Sequence, residues 1–190
     1  MPTCTAAISD ETLLGYWACD TSTAETDPIE THLFECAECA ARLDQTASFG
    51  MGLKELARQG RVSGPISRAL FNRLQRDGLN LRLYSLAPGD AVPCTIFAGD
   101  DIVAASLHAD FSGVRAVSLS VTGPASSTLA EFADVPVSGA DGELIWALPA
   151  ALVRGFPSMQ LQLTLTSTGQ DRAVLGQYTL DHSAFDPASD

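Results

Sequence analysis

The chain has 190 residues, of which 46% are hydrophobic and 18% charged, so it has enough apolar material for one or two domains with a buried core. Its formal net charge of -12 opposes the attraction that nucleic acids and anionic membranes exert, and we expect neither as a direct partner. The sequence has no apolar run near the ~20 residues of a membrane-spanning helix and no signal-peptide pattern at its start. We therefore expect a soluble, cytoplasmic protein whose partner carries positive charge.

The first two predicted helices are marked by capping residues. Ser9 is a predicted N-cap for a helix that ends near Asp20, with acidic residues in its first turn. Asp27 is the predicted N-cap of a second helix, because Pro28 then occupies the first helical position and Glu30 follows three residues after the cap. The second helix leads directly into the segment that contains His32.

Two more helices are predicted before residue 79. One runs through Ala40 to Leu56 and is weakened in its middle by Gly50 and Gly52. The other is predicted to begin at Pro65, after a glycine-rich hinge, and to end at Gly78. Its apolar residues recur at helical spacing, at Ile66, Leu70 and Leu74. We expect these residues, like Trp17 of the first helix, either to contact a partner or to pack against the second half of the chain.

After Gly78 the apolar residues alternate with polar ones, which is typical of half-buried strands. The clearest cases are residues 79–83, 117–121 and 161–165, and a helical turn is expected at 149–155. Seven or eight short strands without long helices between them favour a two-sheet antiparallel sandwich. The predicted fold class is therefore α+β, with a small helical domain at 1–78 and an all-β antiparallel sandwich at 79–190.

The cysteines indicate metal binding rather than a disulfide framework. There are five of them, an odd number, and four lie in the first fifth of the chain. His32 is followed at i+4 and i+7 by Cys36 and Cys39, so that the three side chains project to one side of a helix that continues into a turn. Thiolates and imidazole are the ligands that Zn²⁺ prefers. The alternative is an apolar helix seam with buried thiols.

A structural zinc site usually has a fourth protein ligand. Cys4 lies just before the first predicted helix and is our candidate, while Cys19 near the end of that helix is the competitor. The sequence alone does not decide between them.

The pattern Leu13-Leu14-x-Tyr16, followed sixteen residues later by His32-Leu33-x-x-Cys36-x-x-Cys39, resembles the zinc-binding anti-sigma factor family over about residues 8–45. The resemblance implies a helical domain that holds Zn²⁺ through His32, Cys36, Cys39 and a ligand near the N-terminus. It also implies a binding protein, not an enzyme, that sequesters an extracytoplasmic-function sigma factor. Ala7 stands where some relatives have histidine and Cys4 comes a few residues early, which leaves Cys4, Cys19 or a water as the fourth ligand.

Two other functions remain open on sequence grounds. A thiol redox enzyme or sensor would use the Cys36-x-x-Cys39 pair, although Glu35 and Glu38 beside the thiols disfavour thiolate formation. Alternatively, the β-sandwich binds a ligand or serves as a scaffold, and the zinc-stabilised helices at the N-terminus are an appendage to it.

Four weaker candidates lie in the second half of the chain. His108 near Asp110, and Asp181 beside His182, are possible metal or acid-base pairs, but such neighbours are more often surface hydrogen bonds. Residues 100–101 are both aspartate yet lack the spacing of a calcium loop. Cys94 is predicted to be buried and inert.

Overall fold

The protein is α+β, with helices at the N-terminus followed by two packed sheets, which confirms the predicted fold class. The computed structural model describes residue 4 and residues 6–137, 142–169 and 172–187. The α-helices are α1 (Asp10–Trp17), α2 (Thr23–Glu35), α3 (Ala37–Arg58), α4 (Arg68–Arg76) and the short α5 (Ala150–Val153), which lies in the predicted helical turn. Within the described ranges, no helix combines the length and the apolar composition needed to cross a bilayer.

The strands form a sheet of four and a sheet of five. The first has the order β1 (Gly64–Ile66), β7 (Glu143–Pro149), β4 (Ile102–His108), β2 (Leu81–Leu86). The second has the order β3 (Ala91–Cys94), β9 (Val174–His182), β8 (Met159–Ser167), β5 (Ala116–Thr122), β6 (Thr128–Pro136).

The prediction that every strand pairing is antiparallel is wrong in two places. β2 runs parallel to β4, and β3 runs parallel to β9. Two parallel neighbouring strands must be joined by a crossover connection. Between β2 and β4 the chain crosses to the other sheet, where it forms β3, and then returns. Alternation of apolar residues identifies a half-buried strand but carries no information on its direction.

α2 begins five residues earlier than the sequence predicted. Ser22 is its N-cap, and the Glu25 carboxylate accepts hydrogen bonds from the Ser22 backbone N–H at 2.9 Å and from its hydroxyl at 2.7 Å. This reciprocal capping box outcompetes the one predicted at Asp27, so Pro28 lies inside the helix. Its missing N–H costs one hydrogen bond near the first turns of α2.

The predicted start of α4 at Pro65 is also wrong. Gly64–Ile66 forms β1, which pairs antiparallel with residues 145–147 of β7. The helix starts at Arg68, and the Ser67 hydroxyl caps it by accepting from the Leu70 N–H at 3.2 Å. Proline fixes a φ that suits an edge strand as well as a helix start, so its position alone could not decide between the two.

Among the described residues, two apolar cores lie on opposite faces of the four-stranded sheet. The larger one lies between the two sheets and includes buried Leu107, Leu119 and Leu163. The smaller one lies between α4 and the other face, where Phe71 and Leu74 pack with Ile102 and Ala147. The stripe formed by residues 66, 70 and 74 belongs to this second core and packs against the sheet, with Leu74 buried and Ile66 and Leu70 half-buried.

Trp17 is likewise occupied by intramolecular packing rather than exposed for a partner. Its ring lies against Gly50 of α3, where an added Cβ would approach the indole Cζ2 atom to 2.0 Å. The Arg73 guanidinium lies 4.7 Å from the ring centroid. α3 is continuous through Gly50, and this glycine permits the close contact with the Trp17 ring.

α4 also connects the helical segment, which consists of α1, α2 and α3, to the sheets. Arg73 Nη1 donates to the Trp17 carbonyl at 2.8 Å, and Arg76 donates to the carbonyls of Ala18 and Cys19. These carbonyls lie at the C-terminal end of α1, where the helix dipole favours cations. One face of α4 therefore packs on the sheet while another holds α1.

Candidate metal centre

Four potential metal ligands come together at the junction of α2 and α3. The ligand atoms of Cys4, His32, Cys36 and Cys39 all lie within 4.8 Å of one another. The Cys4 Sγ is 3.4 Å from His32 Nε2 and 4.0 Å from the Cys39 Sγ. These four residues can bind a metal ion.

A break in the helix between Glu35 and Ala37 shapes the cluster. Cys36 adopts an extended backbone (φ -121°, ψ 98°), so it ends α2 and serves as the N-cap of α3. His32 therefore lies in the last turn of α2 and Cys39 in the first turn of α3. The sequence predicted the spacing but not this break: the two cysteines open a new helix instead of continuing the first one.

Two residues of α3, Glu38 and Arg42, hold the N-terminal segment through three hydrogen bonds. The Glu38 carboxylate accepts the Cys4 backbone N–H at 3.2 Å. Arg42 donates to the Ile8 carbonyl at 2.8 Å and to Asp10 Oδ1 at 2.5 Å. These contacts position Cys4 beside the other three ligands although it precedes them by about thirty residues in sequence.

The donor set and its geometry fit Zn²⁺. Three sulfurs and one imidazole nitrogen are a common structural zinc set. Bond lengths of about 2.3 Å to sulfur and 2.0–2.1 Å to nitrogen imply ligand separations of roughly 3.5–3.8 Å in a tetrahedron. The separations of 3.4 and 4.0 Å lie close to that range. Cys39 is buried and the other three are half-buried, as in a closed site.

The thiols of the cluster differ in acidity. The backbone N–H of Cys39, together with hydrogen bonds from Cys4, Cys39 and His32, lowers the pKa of Cys36 to about 7. The pKa of Cys4 is raised: the Ala6 backbone lowers it, but partial burial and the neighbouring thiols outweigh that effect. A thiol at a helix N-terminus is the easier one to deprotonate, as a metal ligand requires.

Cys19, the competing fourth ligand, is not part of this cluster. It is exposed, has a left-handed φ of 54°, and follows the end of α1. Cys94 is buried, as predicted, and burial raises the pKa of its thiol.

The weaker candidate pairs do not form the proposed contacts. His108 Nε2 contacts the Ser85 hydroxyl at 2.8 Å, whereas Asp110 accepts from the Ser112 backbone at 2.9 Å. Asp181 accepts from Gln160 at 2.9 Å, and His182 is buried.

The two adjacent aspartates, 100 and 101, are engaged in hydrogen bonds that fix a loop. Asp100 accepts from the Arg82 guanidinium at 2.7 and 3.1 Å. Asp101 accepts from the Asn80 backbone at 2.8 Å.

Sequence analysis missed the most exposed apolar side chains of the helical segment. Phe34 of α2 is 90% exposed, and Phe49 and Met51 of α3 are 66% and 64% exposed. Phe34 lies two residues after the ligand His32. The sequence analysis assigned these three residues no role, and their exposed fractions show that they face solvent.

Comparisons with known proteins add little. No family model matches the sequence, and no curated protein matches it. Among solved structures, the N-terminal domain of phage TP901-1 ORF48 is similar over 57% of this chain and 100% of that chain, at 9% sequence identity and a TM-score of 0.36.

Proposed function

We propose that the protein is a zinc-binding anti-sigma factor that sequesters an extracytoplasmic-function sigma factor and so regulates transcription. It acts by binding and not by catalysis. The observation that carries the proposal is the cluster of Cys4, His32, Cys36 and Cys39, whose ligand atoms lie within 4.8 Å of one another. The sequence pattern that places three of them resembles that family.

The residues of the cluster connect three parts of the chain. A bound Zn²⁺ would supply coordinate bonds worth on the order of 10 kcal/mol of folding free energy. Cys4 belongs to the N-terminal segment, His32 to α2 and Cys39 to α3, so these residues fix the angle between the helices. A helical segment this small has little core of its own and depends on such a link.

The exposed apolar side chains support a protein partner. Phe34, Phe49 and Met51 leave most of their surface to solvent, and exposed aromatic residues are typical of binding surfaces. Because Phe34 is on the same helix turn as His32, the metal cluster also fixes its position. Metal binding and partner binding are therefore coupled in this proposal.

Charge supports the same kind of partner. Residues 1–41 contain eight acidic and no basic side chains. An acidic surface raises the rate of association with the basic DNA-binding surface of a sigma factor, more than it raises the affinity.

A second candidate function is a thiol redox sensor. It is favoured by the distance of 4.0 Å between the sulfurs of Cys4 and Cys39, which a modest movement would bring into disulfide range. Metal release and loss of partner binding under peroxide would support it. Unchanged metal content after peroxide treatment would exclude it.

The proposal is tested by capture of the partner. We expect the full-length, zinc-loaded chain to co-purify with an extracytoplasmic-function sigma factor expressed in the same cell. Cys36→Ser should lose both zinc and partner, while Cys19→Ser, at an exposed cysteine outside the cluster, should keep both. Phe34→Ser should keep zinc and lose most of the partner. If the zinc-loaded wild-type chain captures no sigma factor, the proposal is wrong.

A further inference from the structure

A cleft of about 660 Å³ lies between the helical segment and the sheets. One wall consists of α1 and the start of α2, and the other of β1, the first turn of α4 and the ends of β6 and β7. Neither half of the molecule forms this cleft alone.

The polar groups at the base of the cleft are already satisfied. Arg68 donates to both oxygens of Glu143, at 2.7 and 2.5 Å, and the Ser106 hydroxyl donates to the same carboxylate. A small-molecule site normally offers a few unpaired polar groups that converge on its ligand. In this cleft Arg68 and Glu143 bind one another, and the Glu25 carboxylate is held by Ser22.

The rest of the cleft is lined by apolar and acidic side chains. Leu14 of α1, which is 37% exposed, faces the half-buried Ile66 and Val137 across the gap. Glu11 and Asp20 lie at the α1 side and are exposed. Among the described lining residues, Arg68 is the only basic one, and its charge is paired with Glu143. Apolar side chains accompanied by exposed charged ones are typical of a protein–protein interface.

We propose that this cleft receives an amphipathic segment of a partner protein, with its apolar side on Leu14, Ile66 and Val137 and its lysine or arginine side chains on Glu11 and Asp20. The inference deepens the proposed function, on which it rests for the identity of the partner. It makes the sheets part of the partner surface, because Ile66 and Val137 belong to that side of the cleft. The helical segment alone would offer only half of the site.

The experiment uses the full-length chain and a fluorescent synthetic 16-residue helical peptide of leucine, alanine and lysine, with fluorescence anisotropy as the readout. A peptide with glutamate in place of lysine is the matched probe and should not bind. Glu11→Lys and Asp20→Lys should each weaken binding of the lysine peptide about tenfold, because an attractive contact becomes a repulsive one. Leu14→Ser should weaken it as well.

The control variant is Asp44→Lys, which makes the same change in net charge at an exposed position of α3 outside the cleft. It should leave binding within twofold of wild type. If Asp44→Lys and Glu11→Lys weaken peptide binding equally, the effect comes from net charge alone and the inference is overturned. Absence of peptide binding, or displacement of the peptide by an equimolar amount of spermidine, would also overturn it.

The outcomes separate the inference from the proposed function. If the wild-type chain captures a sigma factor but does not bind the lysine peptide, the cleft proposal fails and the anti-sigma function stands. If the peptide binds in a manner sensitive to Glu11→Lys while no sigma factor is captured, the cleft proposal stands and the anti-sigma function fails.

Discussion

Gly50 lies directly against the Trp17 ring, and we expect Gly50→Ala to destabilise the protein. A Cβ at position 50 would lie 2.0, 2.2 and 2.8 Å from three atoms of the indole ring. The ring would have to move, and with it the stacked Arg73 guanidinium. Overpacking of this kind costs about 1–3 kcal/mol, and loss of the cation–π contact costs a further ~0.5–1 kcal/mol.

The same helix provides the matched control. Gly52 lies two residues further on and is exposed, and a Cβ there would meet nothing within 4 Å. Replacing a helix-interior glycine with alanine gains about 1 kcal/mol from helix propensity alone. Gly52→Ala should therefore be stabilising, whereas Gly50→Ala has the same gain offset by the clash.

The measurement is urea unfolding of the zinc-loaded variants, followed by circular dichroism at the helix band. We expect Gly50→Ala to be less stable than Gly52→Ala by about 2 kcal/mol, or ~6 °C in Tm for a chain of this size. If the two variants are equally stabilised, the close packing of Trp17 on α3 is wrong.

Two further predictions concern the contacts between α4 and the sheet. Arg68 holds the pKa of Glu143 below its ordinary value of 4.5, so the ion pair contributes its full stability above about pH 4.5 and loses it as the pH falls through the lower, folded pKa. Glu143→Gln should then lower the free energy of unfolding by about 1–2 kcal/mol at pH 7. In urea unfolding, this difference from wild type should shrink below pH 4.5, and a difference independent of pH would contradict the prediction. Leu74→Ala, at a side chain 2% exposed in the smaller core, should cost about 2–5 kcal/mol in the same assay, whereas the exposed neighbour Gln75→Ala should cost less than about 0.5 kcal/mol.

Local chemistry made part of the metal cluster predictable. The spacing of His32, Cys36 and Cys39 is set within one short segment, so the sequence could propose these three together. Cys4 was only one of two candidates, because its position depends on Glu38 and Arg42, which are distant in sequence. Contacts of this kind have no local pattern.

The fold shows the same division. Alternating apolar residues indicated β2, β5 and β8, but the parallel direction of β2 against β4 follows from a crossover through the other sheet. Pro65 suited both a helix start and an edge strand, and pairing with β7 decided between them. The exposure of Phe34 depends on which side of each helix the others cover, which periodicity cannot show.

The most direct test of the account is the metal content of the freshly purified chain together with its helicity before and after chelation. We expect mass spectrometry to show a single Zn²⁺ ion per chain in the wild type and in Cys19→Ser, and none in Cys36→Ser. Removal of the metal by a strong chelator should cause a large loss of helical signal in the wild type, because the site contributes on the order of 10 kcal/mol of folding free energy. A chain purified without metal that keeps its full helical signal and still binds its partner would contradict the account.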